Sequence, residues 1–171
     1  FVLNVSCPNV SNFTKLQDVA FLETLIPKLK KINSKKTKPK PILIKISPDL
    51  STNQLDETIN LVLDQNLDGI IATNTTTSRK NLNTSSFRLN KIGNGGLSGL
   101  PLTNQSTEVI RYIAKKTNKK IPIIGVGGIM NENDAMEKLK AGASLIQVYT
   151  GFIYNGPSLI KNINKKILSS S

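Results

Sequence analysis

Five times over, the chain alternates between a short β-branched apolar run and a longer stretch with helical spacing. That alternation restricts the folds open to it. The runs are Phe1 to Val5, Pro41 to Ile46, Gly69 to Thr73, Ile121 to Val126 and Ser144 to Tyr149. None alternates cleanly between apolar and polar, so each is expected to be buried on both faces, like a strand of a parallel sheet. Between them, Val19, Leu22, Leu25, Ile26 and Leu29 share one helical face, with Pro27 expected to kink or restart that helix. Ser51 and Gln54 have the spacing of a capping box ahead of Leu55, Ile59, Val62 and Leu63. Val109, Ile110, Ile113 and Ala114 mark a third helix, and Ala135, Met136 and Leu139 a fourth, with Gly142 placed to cap it. Leu159, Ile160, Ile163 and Ile167 mark the last.

Strands that alternate with helices imply parallel pairing and right-handed crossovers. Five such units fit a doubly wound sheet or part of an eight-stranded β/α barrel. A whole barrel takes about 250 residues, so this chain would supply about five-eighths of one. Residues 1–171 are read as one domain, large enough for a real core. Thr77 to Thr103 is long for a connection between elements and is expected to form an active-site loop. The chain opens inside an apolar run, Phe1-Val2-Leu3, without an initiator Met. It is therefore expected to begin within a longer protein.

Composition removes several kinds of chemistry. There is no histidine, which excludes a Ser-His triad and any histidine general base. Cys7 is the only cysteine, so it has no disulfide partner and no companion thiolate for a metal, and no metal site is expected. The sequence holds no apolar run of transmembrane length and no signal peptide. The net charge is +12. A basic module that binds nucleic acid is one reading of that charge. Solvated lysines on helix faces are the other, favoured because the dense stretch Lys28 to Lys40 has no interleaved aromatics. The positive field would also help to attract an anionic substrate.

Five motifs follow the strands in order: Asn4 to Asn9 (NVSCPN), Ile44-Lys45-Ile46, Thr73 to Thr76 (TNTT), Gly95 to Gly99 (GGLSG) and Gly125 to Ile129 (GVGGI). The ends of parallel strands and the loops after them are where a β/α barrel keeps its chemistry. Cys7 has an ordinary pKa of about 8.5, within reach of a general base near neutrality, whereas Ser6 would need far stronger activation. An inert buried thiol is the alternative for an isolated cysteine; this motif favours the base. Lys45 would be costly to bury inside Ile44-Lys45-Ile46 without a negative partner. Gly99, Gly127, Gly128, Tyr149 and Thr150 suit a phosphate site, because glycine lets backbone N–H groups approach the oxygens closely. GVGG lacks the dinucleotide spacing G-x-G-x-x-G.

In this order and spacing the motifs resemble those of dihydroorotate dehydrogenases. The most specific stretches are Asn4 to Asn9, Asp68 to Thr76, Gly95 to Leu102, Pro122 to Ile129 and Ala141 to Phe152. The resemblance runs over essentially the whole chain, from the fourth strand of a TIM (β/α)8 barrel to its last helix. It implies FMN-dependent oxidation of dihydroorotate to orotate in pyrimidine biosynthesis. Gly95 to Leu102 followed by Ser106-Thr107 resembles the class 2 branch, which passes electrons to quinone. That branch implies a peripheral position on the cytoplasmic side of the inner membrane, with contact through a segment upstream of this chain. Two features depart from it. Cys7 stands where class 2 members usually carry Ser, and Val10-Ser11-Asn12-Phe13-Thr14 replaces Thr-Pro-Gly-Leu-Arg. Cysteine is the class 1 habit, so a cytoplasmic enzyme using fumarate or NAD⁺ is the alternative.

By the same resemblance, Cys7 takes the proton from C5 of the substrate. Asn4, Asn9, Asn74 and Thr75 bind the substrate, whose amide-like edges match asparagine's donors and acceptor. Asn4, Lys45, Thr73, Gly99, Gly127, Gly128, Tyr149 and Thr150 hold FMN, with Lys45 beside the negative charge of its reduced ring. No nucleic-acid partner is implied. A barrel fragment has open strand edges, so the isolated chain is expected to be inactive.

Overall fold

The computed structural model describes residues 1–6, 19–80 and 82–170. Five strands, β1 (Val2–Asn4), β2 (Leu43–Ile46), β3 (Gly69–Ala72), β4 (Ile123–Val126) and β5 (Leu145–Gln147), form one parallel sheet in the order β1-β2-β3-β4-β5. This order separates the two architectures left open by the sequence. A doubly wound sheet must reverse its strand order to place helices on both faces. Here every strand pairs with the next in the chain, so right-handed crossovers carry the connecting helices that pack on the sheet to one face. That is the arrangement of a barrel wall.

The helices are α1 (Val19–Ser34), α2 (Thr52–Asp64), α3 (Ser86–Ile92), α4 (Thr103–Lys116), α5 (Glu132–Ala141), α6 (Thr150–Asn155) and α7 (Pro157–Ser170). The core lies between this layer and one face of the sheet. Ile44, Ile70 and Ile123, in register on neighbouring strands, meet Leu22 and Ile26 of α1, Ile59 and Val62 of α2, and Ile110 and Ile113 of α4. Each fully buried aliphatic side chain of this kind contributes roughly 2 kcal/mol of transfer free energy.

The termini of α2 and α5 follow their local sequence. Ser51 Oγ accepts from the Gln54 amide at 3.3 Å, and Gln54 Oε1 accepts from the Ser51 amide at 2.9 Å, completing the capping box. Gly142, at φ 116°, ends α5 in the left-handed conformation that glycine adopts without a Cβ penalty.

Four expectations need correction. Pro27 lies inside an uninterrupted α1. It falls on the exposed face with Glu23, whose carbonyl loses its helical partner, while Leu22 and Ile26 anchor the other face. The strands are not all buried on both faces. Only β3 is buried throughout, whereas β1 and β5 are exposed at alternate residues because each has a neighbour on one side only. The stretch from Thr77 to Thr103 carries structure of its own: α3, a 3-10 turn at Leu100–Leu102 and an antiparallel bridge between Thr76 and Leu97. The buried positions of α5 are Ala135, Lys138 and Ala141, while Met136 and Leu139 are only partly covered. Small residues there let α5 approach α4 and the sheet closely.

Candidate active site

Side chains on the second face of the sheet have a different character. Asn4, Lys45, Ile71, Ile124 and Leu145 form one registered row across all five strands, on the side away from the helices. Lys45 projects from this row between Ile44 and Ile46, both of which point into the core. Its ammonium is half-buried and meets no carboxylate and no hydrogen-bond acceptor among the described residues. Burial alone therefore pushes its pKa below the usual lysine value.

At the C-terminal ends of the strands the chain builds a cavity of about 260 Å³. Its walls include Lys45, Thr73, Asn74, Thr75, Gly127, Gly128, Tyr149 and Thr150. Among the described residues of the wall, Lys45 is the only charged one. A half-buried positive charge beside a glycine turn suits an anionic ligand.

Local hydrogen bonds hold the strand ends together. Asn74 Nδ2 donates to Asn4 Oδ1 at 3.1 Å and to Ser6 Oγ at 3.2 Å, while Asn74 Oδ1 accepts from the Thr75 amide at 2.9 Å. Ser6 Oγ donates to the Lys45 carbonyl at 2.9 Å. Asn4, itself exposed on the edge strand, is thus tied to the site through Asn74. The buried Thr73 follows a cis peptide bond from Ala72, and its hydroxyl donates to the Asn74 carbonyl at 2.9 Å.

The glycine turn rests on the first turn of α4. Ser106 Oγ donates to the Gly127 carbonyl at 2.8 Å, and Thr103 Oγ1 lies 2.6 Å from the Gly128 carbonyl. Gly128 has φ 71°, and a Cβ at this position would lie 2.3 Å from Thr103 Oγ1. Only glycine fits. Gly99 stands one step behind the cavity wall, where a Cβ would lie 3.1 Å from Thr150 Cγ2, and Thr150 Oγ1 donates to Ser98 Oγ at 3.0 Å.

A second knot fixes the long loop. The Asp49 carboxylate accepts from Thr76 Oγ1 at 2.5 Å, from the Thr77 amide at 2.7 Å and from Gln105 Nε2 at 3.2 Å. Burial would raise its pKa, but the donors of Thr76, Thr77 and Gln105 together outweigh this and hold it below the usual carboxylate value. Arg79 reaches the carbonyls of Thr77 at 3.2 Å and Gly95 at 2.6 Å.

The structure therefore brings together Asn4, Lys45, Thr73, Asn74, Thr75, Gly127, Gly128, Tyr149 and Thr150, with Gly99 just behind. Cys7, Asn9 and the loop Val10 to Thr14 lie outside the described residues. Sequence reasoning missed Ser6, Asp49, Ser98, Thr103 and Gln147. Asp49 left a signal, because Ser-Pro-Asp directly after a strand places a carboxylate at the strand end. Gln147 shares the face of Lys45 and is legible only once the register is known.

Comparison with known proteins agrees with this geometry. The family model for dihydroorotate dehydrogenase matches residues 1–170. The dihydroorotate dehydrogenase (quinone) of Christiangramia forsetii is 56% identical over 168 residues, which cover 98% of this chain and 48% of that protein. That of Nostoc punctiforme is 49% identical over 175 residues, covering 99% of this chain and 45% of the relative. The ligand-free crystal structure of DHODH from Eimeria tenella superimposes with a TM-score of 0.89 at 32% identity, covering 98% of this chain and 50% of the other. The chain spans about half the length of the curated relatives it matches. With motifs, strand order and strand-end cavity all in agreement, the chain belongs to the dihydroorotate dehydrogenase family.

Proposed function

We propose that the protein containing this chain oxidises (S)-dihydroorotate to orotate in pyrimidine biosynthesis, using FMN and passing the electrons to quinone. One observation carries the reading: eight of the residues singled out in the sequence line one cavity at the C-terminal end of the sheet. Two features fit the anionic cofactor. Lys45 offers a half-buried positive charge that lacks a described protein partner. Gly127 and Gly128 bring a turn without side chains to the cavity wall, where backbone N–H groups can approach an anion closely.

When bound, the flavin supplies the acceptor for the hydride that leaves C6 of dihydroorotate. The remaining steps belong to the chain. Cys7 takes the proton from C5, a role that rests on its motif. Asn74, held by Ser6 and Asn4, orients the substrate with Thr75, and Asn9 completes that set by its motif. Lys45 balances the negative charge that the oxidation delivers to its side of the sheet. Gly127, Gly128, Tyr149 and Thr150, with Gly99 behind them, receive the phosphate.

The relatives from Christiangramia forsetii and Nostoc punctiforme carry quinone in their names, which favours that acceptor over fumarate or NAD⁺. A quinone acceptor goes with a peripheral membrane position on the cytoplasmic face. Among the described residues no helix is long and apolar enough to cross a membrane. Family membership favours an enzyme over a basic nucleic-acid-binding module.

Anaerobic mixing of the full-length protein with dihydroorotate is the direct test. The flavin absorbance should bleach, and Cys7→Ala should slow the bleaching by about 100-fold or more. A flavin that stays oxidised removes the substrate assignment. Turnover with fumarate or NAD⁺ but not with a soluble quinone removes the acceptor.

A further inference from the structure

Lys138 is 0% exposed, although it sits in α5 on the outer layer of the fold. Its ammonium donates to the Thr103 carbonyl at 2.7 Å and to Thr107 Oγ1 at 2.5 Å, both near the N-terminus of α4. No carboxylate among the described residues pairs with it directly. The position is doubly unfavourable for a cation. It is removed from water, and it faces a helix N-terminus, where the backbone dipole already presents positive charge. Lysines rarely occupy such places without a use.

One of the two residues it holds, Thr103, also holds the glycine turn. Thr103 Oγ1 meets the Gly128 carbonyl, and Ser106 Oγ meets both the Gly127 carbonyl and, at 3.1 Å, the Thr103 carbonyl. A chain of contacts therefore runs from Lys138 through Thr103 and Ser106 to Gly127 and Gly128. We propose that Lys138 is a positioning residue for the phosphate end of the cofactor: it clamps the first turn of α4 against the glycine turn and puts a buried positive charge behind it. This rests on the flavin reading above.

The charged groups acting on Lys138 are Asp134, one turn earlier on α5, and Arg111 on α4. From β4 it meets Gly125, whose absent Cβ would lie 3.2 Å from the Lys138 Cβ, and α7 meets α5 through the uncharged Leu159 and Ile163. Desolvation dominates, Asp134 opposes it and Arg111 adds to it, and the pKa falls to about 8. The charge is therefore present at neutral pH and is lost as pH rises through that value.

The test compares FMN with riboflavin, which lacks the phosphate. The cofactor-stripped full-length protein is titrated with each by fluorescence quenching at pH 7 and pH 9.5, as wild type, Lys138→Met and Lys138→Arg. In the wild type the preference for FMN over riboflavin should fall by about tenfold between the two pH values, the scale of one charge acting at a partly buried site. Lys138→Met should show the reduced preference at both pH values, and Lys138→Arg should keep the high preference at both. Equal loss of FMN and riboflavin binding, or a preference unmoved by pH in the wild type, overturns the proposal. Should Lys138→Met fail to fold, the wild-type and arginine titrations still decide it. A wild type that binds neither flavin overturns the cofactor reading itself.

Discussion

Ile44 and Lys45 are consecutive residues on one strand, and they do opposite work. Ile44 points into the layer between sheet and helices and is fully buried among aliphatic side chains. Lys45 points to the other face and holds a half-buried charge with no described partner. The same division runs across the sheet. Leu3, Ile70 and Ile123 accompany Ile44 on the helix side, while Asn4 accompanies Lys45 on the other. In a strand a shift of one residue exchanges the faces. The difference teaches that stability and chemistry are separated here by the thickness of a backbone, and that each can be altered without the other.

The strongest break in that separation should come at Gly128, where the two functions meet. Gly128→Ala places a methyl group against Thr103 in a backbone conformation that alanine disfavours. It should cost about 3 kcal/mol in denaturant unfolding of the full-length protein and abolish flavin retention, read from the absorbance of the purified protein. Next comes a change confined to the helix face. Ile123→Ala should cost about 3 kcal/mol, while the folded fraction keeps its full complement of flavin. Loss of flavin from that folded fraction would show that the faces are not independent.

Asp49→Ala should cost about 1 kcal/mol, since it removes the acceptor shared by Thr76, Thr77 and Gln105. The sign of its pH dependence follows from a folded pKa that is depressed. The Asp49 contribution is complete above the ordinary carboxylate pKa and disappears as pH falls through the folded value. The stability difference between wild type and Asp49→Ala should therefore shrink in acid, and a difference constant down to pH 2, roughly two units below an ordinary aspartate, would contradict this. The smallest effect on stability belongs to Lys45→Met. Removing a half-buried charge should leave the unfolding free energy within about 1 kcal/mol of wild type, or slightly raise it. The same variant should slow anaerobic flavin reduction about 100-fold. A variant that is unstable but reduces at the normal rate would reverse the roles assigned to the two faces.

All five strands were legible because β-branched runs ending in polar motifs have few other uses. The capping box at Ser51 and the glycine after α5 were legible because they depend on three or four adjacent residues. Pro27 misled because its cost depends on which face it occupies, and that is a tertiary fact. In α5 the apolar residues Met136 and Leu139 drew attention away from the buried stripe Ala135, Lys138 and Ala141. Lys138, flanked at three-residue intervals by alanines, left only a faint signal, since a lysine is normally read as solvent-facing. The wall residues of the cavity were legible as motifs. The bonds of Thr103 and Ser106 to the glycine turn were not, because they join segments that meet only when α4 packs over the end of β4.

The sequential strand order also bears on how the wall assembles. Pairing each strand with its successor makes every closure as local as the connection allows. The tightest is β4 to β5, bridged by α5 alone, and the widest is β3 to β4, which waits on the long loop pinned by Asp49 and Arg79. Kinetically, the β4-α5-β5 unit should form early, and docking of β3 against β4 should be the late event. Pulse-labelled hydrogen exchange would see the Ser144 amide, bonded to the Ile123 carbonyl, protected before the Ile70 amide, bonded to the Pro122 carbonyl, and the Thr73 amide, bonded to the Val126 carbonyl, and the reverse order would place the nucleus elsewhere.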